Sequence, residues 1–344
     1  MHEPSVDVIL PIYGQHRVAT LDIVIQSLQR QSGVSLSVIV ACANDNTQAI
    51  QLCDRYGLQC ARVHPRDAVV GGRFVPAAFR NTAIAHSQSE LLYNSDADIV
   101  YLSSRFFTDL IDWSTRHSLQ CVFAPPMRRM PLDVVPRFID LASNCSLECA
   151  LGGLILNRPF LATLDAASHQ TVVFRDNKKR GLIRREPQDA RWLADNEEPN
   201  GSDRLIVYLE SDYSDYRSST ANKGTEPFFC TQDVHCGGTL VSRGAVHDVG
   251  GFCMDYLGWG CHDVDLQAKL RTVCRCSRIP RSSRFCVLHL DHERAYFDKS
   301  QWRANRHLLA TRTSSIETAI TLDRKVLTRL VSDQRCEGRS PTRA

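Results

Sequence analysis

Two aspartates one residue apart carry the clearest chemical signal in this chain. Asn94-Ser95-Asp96-Ala97-Asp98 follows Glu90-Leu91-Leu92-Tyr93, a short buried strand by composition, and precedes the apolar Ile99-Val100-Tyr101-Leu102. Carboxylates at the end of a strand can point into one crevice, and hard divalent cations such as Mg²⁺ or Mn²⁺ take carboxylate oxygen while keeping positions open for water and phosphate. In an open α/β sheet that crevice, at the carboxyl ends of the strands, is where ligands sit. The stretch therefore reads as a platform for a metal and a diphosphate. Standing alone, Asp-x-Asp is equally a solvated turn after a strand, so the elements around it decide.

Those elements alternate. Residues 6–13 form a β-rich run ending near Pro11, and Gly14-Gln15 turns the chain into residues 19–30, where Leu21, Val24, Ile25 and Leu28 have helical spacing. Residues 36–42 predict a second buried strand, and Thr47 a cap for a helix over 48–56 that ends at Gly57. A strand over 58–63, a helix over 74–86 and a strand over 91–94 follow, the last delivering Asp96 and Asp98. Strand and helix in this alternation imply a parallel sheet with right-handed crossovers. No glycine-rich phosphate fingerprint follows the first strand, which argues against a dehydrogenase-type dinucleotide fold.

Further along, the spacing predicts a helix over 106–117, a strand over 121–124, a loop over 125–131 and a helix over 134–150. Residues 169–229 are polar, mixed in charge and without periodicity, and read as long loops with one or two short elements. Order returns with a glycine-led strand over 236–241, a short helix over 245–249, a helix opening at Asp263, a late strand over 285–289 and a helical tail over 300–330. The fold class is α/β: a mostly parallel central sheet flanked by helices, with a C-terminal helical extension.

Composition is that of an ordinary globular chain: 344 residues, 43% hydrophobic, 23% charged. A net charge of +3 gives no support to nucleic-acid binding or a membrane-surface role. No apolar run approaches the roughly 18 residues of a membrane span, and no export signal is evident, so a cytoplasmic location without integral membrane association is expected. The 14 cysteines lack zinc-finger spacing and read as reduced thiols.

The stretches 6–13, Arg80-Asn81-Thr82-Ala83-Ile84-Ala85 and Asn94 to Asp98, taken in order, resemble GT-A fold glycosyltransferases of the family-2 type. Gly250-Gly251-Phe252 and Gly258-Trp259-Gly260-Cys261-His262-Asp263-Val264-Asp265-Leu266 resemble the carboxyl-terminal motif of galactosyltransferases and chondroitin-type polymerases. The likeness covers about residues 5–102 and 236–292. It implies a nucleotide-sugar-binding half over 1–130, a variable acceptor-side region over 131–235, an acceptor and catalytic half over 236–298 and a helical tail over 299–344.

The resemblance also implies a nucleoside-diphosphate sugar donor, a UDP-sugar first, a hydroxyl acceptor and a divalent cation, Mn²⁺ or Mg²⁺. Asp98 and Asp96 would bind the cation, with His289 as third ligand and His292 as second choice; Asp96 could instead hold the ribose. An imidazole ligand favours Mn²⁺. Asp263 stands where the family's general base stands and would accept the proton of the attacking hydroxyl in an inverting displacement; the bland alternative is a helix N-cap. Pro11, Tyr13, Asp45 and Arg80 would line the donor side, Tyr13 against the base and Arg80 near the diphosphate, and Trp259 would floor a sugar ring. Two departures stand out: Ala43-Asn44-Asp45 replaces the usual aspartate run, and His262 replaces the acid before Asp263. They motivate a rival reading, a nucleotide-sugar-binding module without catalysis; a nucleotidyl- or phosphotransferase using the same acidic pair is a third.

Overall fold

A computed structural model of the chain describes residues 3–130, 132, 135–145, 147, 150, 172–176, 179–185, 230–280, 283–292 and 297–337. The first half runs β1 (Ser5–Ile12), α1 (Val18–Gln29), β2 (Ser35–Ala43), α2 (Thr47–Tyr56), β3 (Gln59–Val63), α3 (Pro65–Ala68), β4 (Val69–Val70), β5 (Arg73–Phe74), α4 (Pro76–His86), β6 (Leu91–Asn94), β7 (Ile99–Tyr101), α5 (Phe106–Arg116), β8 (Cys121–Phe123), β9 (Pro126–Met130) and α6 (Val135–Asn144), with the short α3, β4, β5 and β7 added to the expected alternation. Then come the hairpin β10 (Val172–Asp176) and β11 (Lys179–Arg185), β12 (Cys230–Val234), β13 (Thr239–Ser242), α7 (Arg243–Asp248), α8 (His262–Val273), β14 (Cys276–Arg278), β15 (Val287–Leu290), α9 (Lys299–Ser314) and α10 (Ile316–Glu337).

The central sheet has seven strands in the order β14-β8-β13-β6-β1-β2-β3. All run parallel except β13, which is antiparallel to both its neighbours. The mostly parallel sheet expected from sequence is thus what the chain builds, with helices on both faces and a helical extension at its C-terminal end. Side chains alternate along the inner strands with the pleat. Val8, Leu10, Val38 and Val40 join one core with α1, α5 and α6, while Ile9, Ile39, Ala41 and Ala61 join the other with α4, α7 and α8. From β1 the chain builds outward through β2 and β3, then crosses back to place β6 on the other side of β1. Such a reversal opens a crevice at the carboxyl ends of the two strands.

A second sheet, β12-β9-β15-β7, stands beside the first. It holds the main departure from the sequence reading, because residues 125–131 were expected as a loop and Pro126–Met130 is a strand. The prolines suggest a loop, yet a proline is tolerated at the first position of a strand, and β9 is held between β12 and β15. The cap of α2 is Asn46, whose Oδ1 accepts from Ala49 N at 3.1 Å, one residue earlier than expected. The helical tail consists of two helices, broken at Ser315. The expected helix over 134–150 is described as far as Asn144, and most of 169–229 lies outside the described residues. Among the described residues no helix is long and apolar enough to cross a membrane.

Candidate active site

A cavity of about 640 Å³ opens at the carboxyl ends of β1 and β6 and extends to the first turn of α8 and to α9. Pro11, Tyr13, Arg17, Arg80, Asp96, Asp98, His235, Trp259, His262, Asp263, His289 and His292 all line it. Residues scattered from 11 to 292 along the chain therefore face one space. Asp45, at the far end of β2, is exposed and is not among the lining residues.

The acidic turn is rooted from below. Ser95 N donates to Ile9 O at 3.0 Å, and the Ser95 hydroxyl accepts from Tyr101 Oη at 2.6 Å. Asp96 O then accepts weakly from Ile99 N at 3.4 Å, which makes 96–99 a turn leading into β7. Two residues apart in a turn are not two residues apart in a strand, and the two carboxylates part company.

Asp98 goes to the histidines. The antiparallel pairing of β15 with β7 sets His289 opposite Ile99, and Leu290 N donates to Asp98 O at 2.9 Å. Asp98 Oδ2 lies 3.1 Å from His292 Nε2, 3.8 Å from His289 Nε2 and 2.6 Å from Arg17 Nη1. Burial works against the charged Asp98, but His289, His292 and Arg17 outweigh it and hold the carboxyl well below its usual range. One ligand atom each from Asp98, His289 and His292 lies within 4.8 Å of the others, so these three could hold a metal ion. One carboxylate and two imidazoles suit a borderline ion such as Mn²⁺, Fe²⁺ or Zn²⁺ better than Mg²⁺.

Asp96 goes the other way. Its Oδ1 accepts from Arg80 Nη2 at 2.6 Å and its Oδ2 lies 2.9 Å from His235 Nε2. Burial raises its pKa, while Arg80 and then His235 lower it further, leaving the group far below the usual carboxylate range. Arg80 itself is buried on α4. Its Nη1 donates to Ser95 O at 3.0 Å, and its guanidinium lies 5.2 Å from the Phe252 ring centre. The same Nη2 lies 3.8 Å from Asp263 Oδ1, so Arg80 stands between the two carboxylates and balances both.

Asp263 is the second residue of α8. The helix is capped by Cys261 in a left-handed conformation with no side-chain cap, so the N-cap role is not what Asp263 performs. Its Oδ2 lies 3.3 Å from His262 Nε2, and its Oδ1, though buried, makes no hydrogen bond within the protein. Burial pushes the His262 imidazole down, more than the attraction of Asp263 raises it. An uncharged ring beside a carboxylate with one oxygen free of hydrogen bonds can orient it while leaving an acceptor for an incoming proton.

The Gly258-Trp259-Gly260 turn is held by the tail. Asn305 Nδ2 on α9 donates to the carbonyls of Leu257, Trp259 and Gly260 at 2.9, 3.3 and 3.3 Å. Trp259 is 47% exposed at the cavity, its ring edge-on to Phe297 at 5.7 Å. Tyr13 packs against Phe74 and Phe79 with centroids at 4.7 and 4.8 Å.

No protein-family model matches the chain, and no curated protein matches it in sequence. Among solved structures, similarity is found to a mannosyltransferase from Pyrobaculum calidifontis in complex with GDP-Man and Mn²⁺, at 12% identity over 99% of this chain and 77% of the other, with a TM-score of 0.44. Glucosyl-3-phosphoglycerate synthase from Mycobacterium tuberculosis, in complex with Mn²⁺ and UDP-glucose, is similar at 14% identity over 90% of this chain and 78% of the other, with a TM-score of 0.42. TarS from S. aureus (residues 1–349, in complex with UDP) gives 13% identity over 89% and 64%, with a TM-score of 0.41. Likenesses this distant assign neither donor nor acceptor to this chain.

Sequence reasoning did not find Arg17 or His235. Arg17 closes a short 3-10 turn just after β1, and its nearness to the end of the first strand was the available signal. His235 precedes Cys236-Gly237-Gly238. A side chain at Gly237 would bring its Cβ to 3.1 Å from both Asp96 Oδ2 and His235 Nε2, so the glycine leaves room for that pair. The Arg80-Asn81 and Gly250-Gly251-Phe252 stretches, noted separately in the sequence, clasp each other. Asn81 Nδ2 donates to Phe252 O at 2.7 Å and Phe252 N donates to Asn81 Oδ1 at 2.8 Å.

Proposed function

We propose that this chain is a metal-dependent glycosyltransferase of the GT-A type, moving a sugar from a UDP-linked donor to a hydroxyl acceptor with inversion. The observation that carries the reading is the cavity itself. At the switch point of a mostly parallel sheet it joins a carboxylate–imidazole cluster fit for a divalent ion to a second carboxylate, Asp263, with one oxygen unengaged. Asp98, His289 and His292 would hold the ion, which when bound stabilises the negative charge that builds on a departing diphosphate. Asp96, fixed by Arg80 and His235, would meet the donor's ribose rather than the ion. Asp263 Oδ1 would take the acceptor proton, with His262 fixing the carboxylate's other oxygen and Arg80 balancing its charge. Tyr13 would lie against the base and Trp259 against a sugar ring. Residues 1–130 then serve the donor, 131–235 the acceptor side, 236–298 catalysis and 299–344 support.

Incubation with a panel of nucleotide sugars, with and without Mn²⁺, tests the reading. Expected is Mn²⁺-dependent release of a nucleoside diphosphate from one donor, slow with water and faster with the right acceptor. Absence of release from any donor, together with no heat of UDP binding in the presence of Mn²⁺, overturns it. Binding without release points to the non-catalytic module, release of a sugar 1-phosphate to the nucleotidyltransferase, and release of a nucleoside monophosphate to the phosphotransferase.

A further inference from the structure

We infer that Arg17 is an internal counter-ion competing with the divalent cation for Asp98, so that the cation binds well only when an anionic ligand draws the guanidinium away. The inference rests on the reading above, and it concerns a residue that reading leaves without a role. Arg17 Nη1 donates to Asp98 Oδ2 at 2.6 Å, and that oxygen is the one facing both His289 and His292. Arg17 Nη2 stands 3.2 Å from His292 Nδ1.

The second contact fixes the tautomer. A guanidinium has donors and no lone pair, so His292 Nδ1 must be the accepting nitrogen and the ring proton sits on Nε2. His292 Nε2, the protonated nitrogen, lies 3.1 Å from Asp98 Oδ2. Arg17 thus donates both to Asp98 and to His292, two of the three groups the ion would need. In this arrangement, the nitrogen nearest Asp98 has no lone pair for a metal. A cation ligated by Asp98 Oδ2, His289 Nε2 and His292 Nε2 would also stand close to a guanidinium only 2.6 Å from one of its ligands. Two cations sharing one carboxylate oxygen repel strongly where water is scarce, and the Asp98 side chain is only 4% exposed. Arg17 and the ion are therefore alternatives. Ion binding requires Arg17 to swing out and the His292 proton to shift from Nε2 to Nδ1, the nitrogen that Arg17 vacates.

Arg17 lines the cavity and is partly exposed, so it has somewhere to go. The ligand chemistry best suited to receive it is a diphosphate, whose oxygens accept two parallel N–H bonds from a guanidinium. Ion and nucleoside diphosphate should then bind with positive coupling, each favouring the other by the same factor.

The test is equilibrium binding of Mn²⁺ alone, followed by the electron paramagnetic resonance of the free ion, to wild-type protein and to R17Q, R17K and D98N, repeated with saturating UDP. Expected is that R17Q binds Mn²⁺ at least tenfold more tightly than wild type without nucleotide, that R17K falls between, and that UDP tightens Mn²⁺ binding far more in wild type than in R17Q. Equal or weaker binding by R17Q, with Mn²⁺ binding abolished in D98N, overturns the counter-ion role while leaving the metal site standing. No Mn²⁺ binding by wild type or R17Q, with or without UDP, overturns both. Circular dichroism confirms that the variants are folded, and R17K, which keeps the charge, separates competition from lost packing.

Discussion

Asp263 and Asp265 leave the first turn of one helix for opposite surroundings. Asp265 is buried, and every direction around it is taken. Its Oδ1 accepts from Arg312 Nε at 2.7 Å and Tyr256 Oη at 3.2 Å, and its Oδ2 accepts from Arg312 Nη2 at 3.2 Å with Lys269 Nζ at 3.6 Å. Lys269 in turn donates to Gly251 O at 2.6 Å and to Asp323, which Arg312 also reaches. Four charges from α8, α9 and α10 thus neutralise one another out of water. Around Asp263 the accounting is open: Asp263 Oδ1, His235 Nδ1 and Arg80 Nε are buried without hydrogen-bond partners in the protein. A buried polar group without a partner is rare and calls for an explanation. A closed network is what fastens a tail to a body, and an open one is what a ligand completes.

The sharpest way to break the comparison is to neutralise each carboxylate in turn. Asp263→Asn keeps the shape and removes the proton acceptor. Loss of a general base lowers turnover by about 10²- to 10⁴-fold, and kcat is expected to fall by that much with UDP affinity unchanged and thermal stability equal or higher. Near-normal kcat in this variant removes Asp263 from the base role. Asp265→Asn leaves Lys269 and Arg312 short of an anion, and breaking a buried ion network costs about 3–5 kcal/mol. Urea unfolding should show that loss; a change below about 1 kcal/mol would mean the network is not closed as described.

A smaller effect sharpens how the tail is fastened. At Gly250, φ is +77°, and a Cβ would fall 2.2 Å from the backbone nitrogen of Arg324 on α10. Overpacking of this kind costs about 1–3 kcal/mol, and a left-handed backbone adds roughly 1–2 for a residue with a side chain. Gly250→Ala is expected to lower Tm by several degrees and to make the C-terminal helix more accessible to protease, with donor affinity per folded molecule retained. A Tm within one degree of wild type would show that α10 does not seat on this glycine.

Much of this was legible in the chain beforehand, and what was not has physical reasons. The order of β1, α1, β2, α2, β3, α4 and β6 follows from apolar periodicity, since each buries one face or both, whereas the short α3, β4 and β5 carry no such pattern. That residues 96, 98, 263 and 289 share one cavity was implied by the resemblance to GT-A glycosyltransferases, not by spacing alone. The split between Asp96 and Asp98 was not, because it depends on a turn whose side-chain directions are set by β7 pairing with β15 nearly two hundred residues later. Arg17 and His235 were hidden for a similar reason. Each is a single polar residue beside a strand end, and only its distant partner, Asp98 or Asp96, gives it meaning. The tail's role was also out of reach, because α9 and α10 are tied down by polar side chains whose partners lie far away in the chain. They are held as much by Asn305, Arg312 and Asp323 as by apolar contacts.

The smallest expected effect concerns His262, which belongs to the open region but is as buried as the closed one. Burial depresses its folded-state pKa below the value near 6.5 that the unfolded chain shows. Below pH 6.5 the unfolded state therefore binds a proton that the folded state refuses. The sign follows: this contribution to stability is fully present above the unfolded pKa and is lost as pH falls through the folded one. Wild-type stability is expected to decline as the solution is taken from neutral toward pH 5, with part of that slope gone in His262→Gln, which keeps a polar group beside Asp263 but does not titrate. Urea midpoints at matched ionic strength measure it. An identical acid limb in both proteins would mean that the imidazole takes up its proton in the folded state as readily as in the unfolded one. Asp263 would then sit beside a cation rather than an uncharged ring, which would weaken it as a base and bring this half of the molecule closer to the closed network around Asp265.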